Sequence, residues 1–536
     1  MDRKLYYNGP ILTMNEAAPV VDYVLTEGDK IVEIGMADGL AKHLAAGTDA
    51  VDLQGRMMLP GFIDSHLHML SAALNQLKLD LTDLTFDTID DMLAYVKKEK
   101  GSSGDSWISA FAFFEENIGE HRIVTRQDID KVFPDIPVTI IRVCGHMGII
   151  NSKAMEKLDP EKMANIVGGE FKKDANGEYN GQATEGALQY VLDNMPAADE
   201  ETILKYLQGQ QQYLISQGLT AIHDAGTDMM MPHDYVDIFE KMNEKGLLKI
   251  RTYLMARPGE DETPESFEQY LSALKAKNSP DGRLTIGAVK MFSDGSLGGR
   301  TAAINEHYQD EPDNTGLLLN ERIDQYADYL INAGHQMAIH AIGDRSTGYV
   351  ADTYCRAANK EGTRQRIEHA ELLNDELIDT FKKNNIYIMT QPIFIREFGV
   401  TYFNNLGQDR AMQIQPLKTL LEKGIVVGFG TDYPVDDPNP LLGIHAAMTR
   451  QIKNCDKLLN EAEKISFADA VKCYTYGSAC GAFCESAMGS IEPGKFADFV
   501  VLSGLQADAS GTVTDVTSAV VDLTIIGGET LYSREG

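Results

Sequence analysis

Apolar positions along the chain fall into three regimes. At the amino end, short alternating runs at 4–7, 11–14, 23–27, 30–35 and 50–53 predict strands. They are punctuated by Asn8-Gly9-Pro10, Gly28-Asp29 and Gly47-Thr48, which is turn chemistry. The carboxyl end has the same texture at 497–502, 519–521 and 523–528. Both ends are therefore β-rich, which predicts a small β-sandwich assembled from residues 1–56 and 485–536.

Between them the pattern alternates. Continuous apolar or β-branched runs at 59–68, 219–223, 250–255, 284–292, 336–340, 365–369, 386–390 and 425–431 are separated by amphipathic segments such as 326–333, 372–384 and 416–423. Eight strands alternating with helices predict an α/β fold, a distorted (β/α)8 TIM barrel over residues 57–484. One interval breaks the rhythm. Residues of about 71–217 form a large insertion after strand 1, read as helix-rich with a strand such as 137–143. An insertion after a barrel strand is expected to act as a lid over the active-site face.

Polar residues interrupt the apolar runs at equivalent places. His66 and His68 stand two apart at the end of the first run, where strand geometry directs both imidazoles to one face. Two such rings suit a divalent metal. Lys290 lies in the fourth run, His340 ends the fifth, His369 the sixth, and Asp432 follows the eighth. Each alone reads best as a hydrogen-bonded core residue. Six in equivalent positions mark a site at the carboxyl ends of the strands, where barrel enzymes keep their chemistry. By strict alternation Glu368 points away from His369 and stays outside the set.

Composition changes the picture only at the margins. Against 48 Lys and Arg stand 80 Asp and Glu, a formal charge of −32. That balance disfavours nucleic acid or an anionic membrane as partner. No apolar run is long enough for a membrane helix, and the first residues lack the apolar core of a signal peptide. The six cysteines contain no Cys-x-x-Cys and read as reduced thiols of a cytoplasmic protein. A homo-oligomer is left open.

The order His-x-His, Lys, His, His, Asp resembles the amidohydrolase superfamily. The segments 289–301, 145–152, 339–344 and 489–498 resemble its amidohydrolase-3 (YtcJ-like) branch. The likeness runs almost end to end. It implies hydrolysis of C–N bonds other than peptide bonds in a small amide, N-acyl, N-formyl or cyclic amide, by attack of metal-bound hydroxide. It also implies that Lys290 is carboxylated (N6-carboxylysine). A neutral amine can add carbon dioxide, and burial favours the neutral form. Two divalent ions are then expected, with zinc the best fit. His66, His68, Lys290 and Asp432 would hold one, and Lys290, His340 and His369 the other. Asp432 would move protons, and His146 in the insertion would hold the substrate carbonyl. Asp294 and Arg300 are candidate substrate contacts, while His223 and Asp224 are candidates to orient a ligand from behind. The alternatives are a mononuclear deaminase-type hydrolase with free Lys290, and a non-catalytic binding or assembly protein on the same fold.

Overall fold

The computed structural model describes residues 3–45, 48–82, 84–101, 107–142, 147–166, 169–196, 198–226, 232–259, 262–357, 362–508 and 512–535. Two compact units result. One comprises residues 1–71 and 207–536, and the other residues 72–206.

The larger unit is built on eight parallel strands: β1 (Phe62–Leu67), β2 (Leu219–Asp224), β3 (Arg251–Ala256), β4 (Leu284–Phe292), β5 (Met337–Ala341), β6 (Arg366–His369), β7 (Tyr387–Thr390) and β8 (Val427–Phe429). They pair in chain order from β1 to β8. β1, β2 and β3 are buried at every position, as parallel strands covered on both faces must be. The ends of the row meet at their carboxyl termini. The Asp432 N–H donates to the His66 carbonyl (2.8 Å), and the His68 N–H donates to the Tyr433 carbonyl (2.7 Å). Asp64 reinforces this seam, accepting from the Thr431 N–H at 3.2 Å and from its hydroxyl at 2.6 Å. The result is a distorted, nearly closed (β/α)8 barrel.

Local chemistry sets the helix boundaries between strands. Thr263 caps a helix that starts at Pro264, and Asn374 caps Asp375–Asn384, which stops at Asn385 in the left-handed region.

The run predicted as one strand over 59–68 is two. Met57–Pro60 belongs to a separate sheet, and β1 begins at Phe62. Gly61 is the pivot. Its N–H donates to the Asp498 carbonyl at 2.9 Å, and a Cβ there would lie 2.2 Å from the Thr220 side chain. Met57–Pro60 pairs antiparallel with Phe499–Ser503 and touches Arg3–Leu12 through Ile11 and Met58. Strands from the two ends of the chain thus share one eight-stranded sheet. The Asn8-Gly9-Pro10 triplet is a bulge inside the single strand Arg3–Leu12, with the register shifting between Tyr7 and Ile11 and Asn8 at φ 63°.

The smaller unit has helices such as Ile89–Lys100 and Gly186–Asp193, and the strand expected near 137–143 is Val138–Arg142. The unit carries a six-stranded mixed sheet, including Ile108–Phe113, Val138–Arg142, Met147–Ile150 and Tyr179–Glu185. Ile108, Val138, Ile140 and Ile149 enter one apolar core with Met92, Leu93 and Phe133. No helix among the described residues is long and apolar enough to cross a membrane.

Candidate metal centre and active site

Four imidazoles converge at the carboxyl end of the barrel. Ring centroids of His66 and His68 are 5.4 Å apart, His66 and His369 4.7 Å, and His340 and His369 4.4 Å. In each ring one nitrogen faces an acceptor that has no proton to give, so that nitrogen must carry the hydrogen. His66 Nδ1–H donates to Glu368 Oε2 (2.5 Å) and His68 Nδ1–H to the Gly226 carbonyl (2.6 Å). His340 Nε2–H donates to the Gly295 carbonyl (2.9 Å) and His369 Nδ1–H to Gln391 Oε1 (2.8 Å). A lone pair is left at Nε2 of His66, His68 and His369 and at Nδ1 of His340. Neutral, oriented imidazoles are what a metal requires.

Burial enforces neutrality. It pushes His340 down to about 3 and holds His66 and His369 well below the ordinary histidine value. His68 moves the other way. Burial opposes its charge, but the hydrogen bond and charge of Asp432 outweigh that. Asp432 Oδ1 lies 3.1 Å from His68 Nε2 and 3.6 Å from His66 Nε2. Two lone-pair-bearing atoms at 3.1 Å need a proton or a cation between them. His66, His68 and Asp432 offer ligand atoms all within 4.8 Å of one another, the one such group of three among the described residues.

Lys290 is 1% exposed, and its Nζ has no hydrogen-bond partner among the described residues. Burial lowers it to about 8. The amine sits 4.6 Å from the Phe292 ring centroid. A buried amine with nothing to bind calls for a missing partner. Beside it opens a cavity of about 530 Å3 walled by Met291, Phe292 and Leu317–Leu319, with Arg257 and Arg322 at its polar side.

Two charged residues outside the set drawn from the sequence complete the arrangement. Glu368 was expected to point away from His369. Instead it lies inside the barrel, fully buried, against His66. The alternation rule fails because His369 has φ 73°, which takes it out of the strand region and brings its ring to the same side. Beneath Glu368 lies Arg366, whose five N–H groups are all used. Nε reaches Glu368 Oε1, Nη2 reaches Glu368 Oε2 (2.9 Å) and the Ser65 carbonyl (2.7 Å), and Nη1 reaches His223 Nδ1 (3.1 Å) and the Gly481 carbonyl (3.3 Å). The signal was present in the sequence. Arg366 and Glu368 stand two apart in an otherwise apolar run, and opposite charges can be buried there only as a pair.

The remaining candidates separate. Asp224 accepts from the Met69 N–H (2.9 Å) and the Gly226 N–H (3.1 Å), and so fixes the loop whose carbonyl holds His68. His223 faces down the barrel to Arg366, with its ring 5.1 Å from Tyr253. Asp294 is 3% exposed, and its carboxylate is spent on the backbone N–H groups of Ala303, Ile342 and Gly343. It therefore shapes the loops around His340, and its Oδ1 lies 3.4 Å from His340 Nε2. Arg300 pairs with Asp310 and Glu311. His146 lies outside the described residues.

Comparison with known proteins agrees with this geometry. The sequence pattern of the amidohydrolase family matches residues 49–532. YtcJ of Bacillus subtilis strain 168, named as an amidohydrolase, is 32% identical over 521 residues, 94% of this chain and 94% of the relative. N-substituted formamide deformylase of Arthrobacter pascens is 23% identical over 555 residues, 99% of this chain and 98% of the relative. A crystal structure of an uncharacterized metal-dependent hydrolase from Pyrococcus horikoshii OT3 superposes with a TM-score of 0.77 at 26% identity, covering 95% of this chain and 98% of its own.

Proposed function

The chain belongs to the amidohydrolase family of metal-dependent hydrolases, and from that premise we propose that it hydrolyses a C–N bond, other than a peptide bond, in a small amide. The observation that carries the proposal is the set of four histidines, each with one nitrogen fixed on an acceptor-only partner, around the partnerless amine of Lys290.

The residues fit two divalent ions. His66, His68, Asp432 and a carboxylated Lys290 would hold one. His340, His369 and the same Lys290 carboxylate would hold the other, and nitrogen plus carboxylate donors suit zinc. When bound, such ions polarise a carbonyl and make water acidic enough to attack it near neutral pH. The chain's own groups do the rest. Asp432, 8% exposed and 3.1 Å from His68, takes up the proton of the attacking water and delivers it to the departing nitrogen. Glu368 and Gln391 hold the rings of His66 and His369. The leucine-walled cavity beside Lys290 receives the apolar substituent of the amide, and Arg257 and Arg322 bound its polar side. The deformylase relative acts on N-substituted formamides, so N-formyl amines with apolar substituents head the substrates to test.

A one-ion reading with free Lys290 has its own support, since His66, His68 and Asp432 are already within 4.8 Å of one another. Metal analysis of the purified chain separates the two readings: two ions per chain, or one. Activity is tested by presenting N-formyl, N-acyl and cyclic amides to zinc-loaded protein and to Asp432→Asn. Turnover of one class, lowered at least about a hundredfold by the substitution, is the expected result. A variant that kept more than about a tenth of the activity would remove Asp432 from its role.

A further inference from the structure

Barrel enzymes work at the carboxyl ends of their strands, yet a cavity of about 450 Å3 opens at the opposite end. It is bounded by Arg251, which begins β3, by Thr285 and Ile286 near the start of β4, and by Gln336, which precedes β5. Its volume is in the range of small-molecule sites. Ile222, Ile286 and Met488 are among its apolar lining residues, and Lys275 is among its polar ones. None of its lining side chains is an aspartate or glutamate, in a chain where such residues number 80 against 48 basic ones.

The two cations of the lining differ. Arg251 is committed to Asp498, at 2.7 and 3.1 Å, and is stacked on Phe496. Lys275 has its Nζ 3.1 Å from His335 Nδ1, and Glu268, whose charge also acts on the lysine, reaches the far side of that ring at 3.3 Å. Burial lowers both Lys275, to about 8, and His335. A cation over an apolar cavity with no carboxylate on its walls favours an anion that has an apolar body.

The deep end of the cavity is in touch with the metal-facing end of the barrel. His223 lines it, and His223 Nδ1 accepts from Arg366, which clamps Glu368, which holds His66. Each of these four side chains is no more than 2% exposed. A displacement of His223 therefore has no solvent in which to dissipate before it reaches His66.

We propose that this cavity binds a small apolar monocarboxylate, with its head on Lys275 and its tail against Ile222, Ile286 and Met488, and that occupancy is transmitted through His223, Arg366 and Glu368 to His66. The metal arm of the test rests on the metal-centre reading above; the binding arm does not, so failures of the two can be told apart.

The probe is octanoate, titrated by calorimetry into the zinc-loaded full-length chain, with octanamide as the uncharged control. Saturable one-to-one binding is expected. It should weaken at least about tenfold with octanamide or with Lys275→Met, and recover with Lys275→Arg. Lys275 is the last residue of its helix and partly exposed, so both variants should fold. Saturating octanoate should also shift the apparent zinc affinity of the wild-type chain about fivefold, and leave that of Lys275→Met unchanged. Absence of saturation, or equal binding by octanamide or by Lys275→Met, would overturn the site. An unchanged zinc affinity with octanoate bound would overturn the transmission.

Discussion

Lys290 decides what the site can hold. Its amine is buried and partnerless, so replacing it should cost little stability and much metal. Lys290→Ala is expected to bind one zinc instead of two by elemental analysis, and formate or acetate should partly restore the second. A variant that binds two ions unaided would refute the carboxylate bridge. Glu368 gives the complementary prediction. Glu368→Gln leaves Arg366 as a buried charge without its counter-ion, which costs about 3 kcal/mol. It also takes the carboxylate from His66, which should weaken zinc at least about tenfold by chelator competition. The clustered histidines were legible in the sequence because each ends an apolar run. Their supports were legible only in part. The spacing of Arg366 and Glu368 signals a buried pair, but that Glu368 shares a side with His369 follows from the φ of 73° at His369, which an alternating pattern does not write. The loop bonds of Asp294 and Arg300 were not legible either, since a polar residue beside a site can be engaged by its own loop.

Among the elements, the seam between β1 and β8 carries the greatest constraint. Gly430 follows β8, and a Cβ there would lie 2.7 Å from the His66 backbone nitrogen and 2.9 Å from Asp64 Oδ1. Neither neighbour can retreat without moving a candidate ligand. Gly430→Ala should therefore lower stability by about 1–3 kcal/mol in thermal unfolding, and release zinc at lower chelator concentration than wild type. Unchanged zinc retention would mean that the seam does not set the distance from His68 to Asp432. The eight barrel strands were readable because parallel strands buried on both faces appear as unbroken apolar runs. The division at Gly61 was not, because a chain crossing from one sheet to another keeps the same apolar composition. In the smaller unit the extent of the sheet was not legible for a related reason: strands such as Met147–Ile150 are short, and their partners are distant in sequence.

At the scale of the molecule, a buried ion pair joins the terminal sheet to the barrel. Arg251 begins β3, Asp498 precedes Phe499–Ser503, and both side chains are at most 5% exposed. Asp498→Ala should lower stability by about 3 kcal/mol and leave the zinc stoichiometry unchanged, since Arg251 reaches none of the candidate ligands. Loss of zinc with intact stability would reverse that assignment. The terminal sheet has a further consequence, which concerns how the protein is made. Met57–Pro60 is completed only when Phe499–Ser503 lies alongside it. At about 5–20 residues per second, a ribosome leaves that apolar edge open for roughly 20–90 s. Throughout that interval the nascent chain displays a strand able to pair with any other. A message broken before the codon for Phe499 should therefore yield insoluble product, and holdase chaperones should be found on this chain until translation ends.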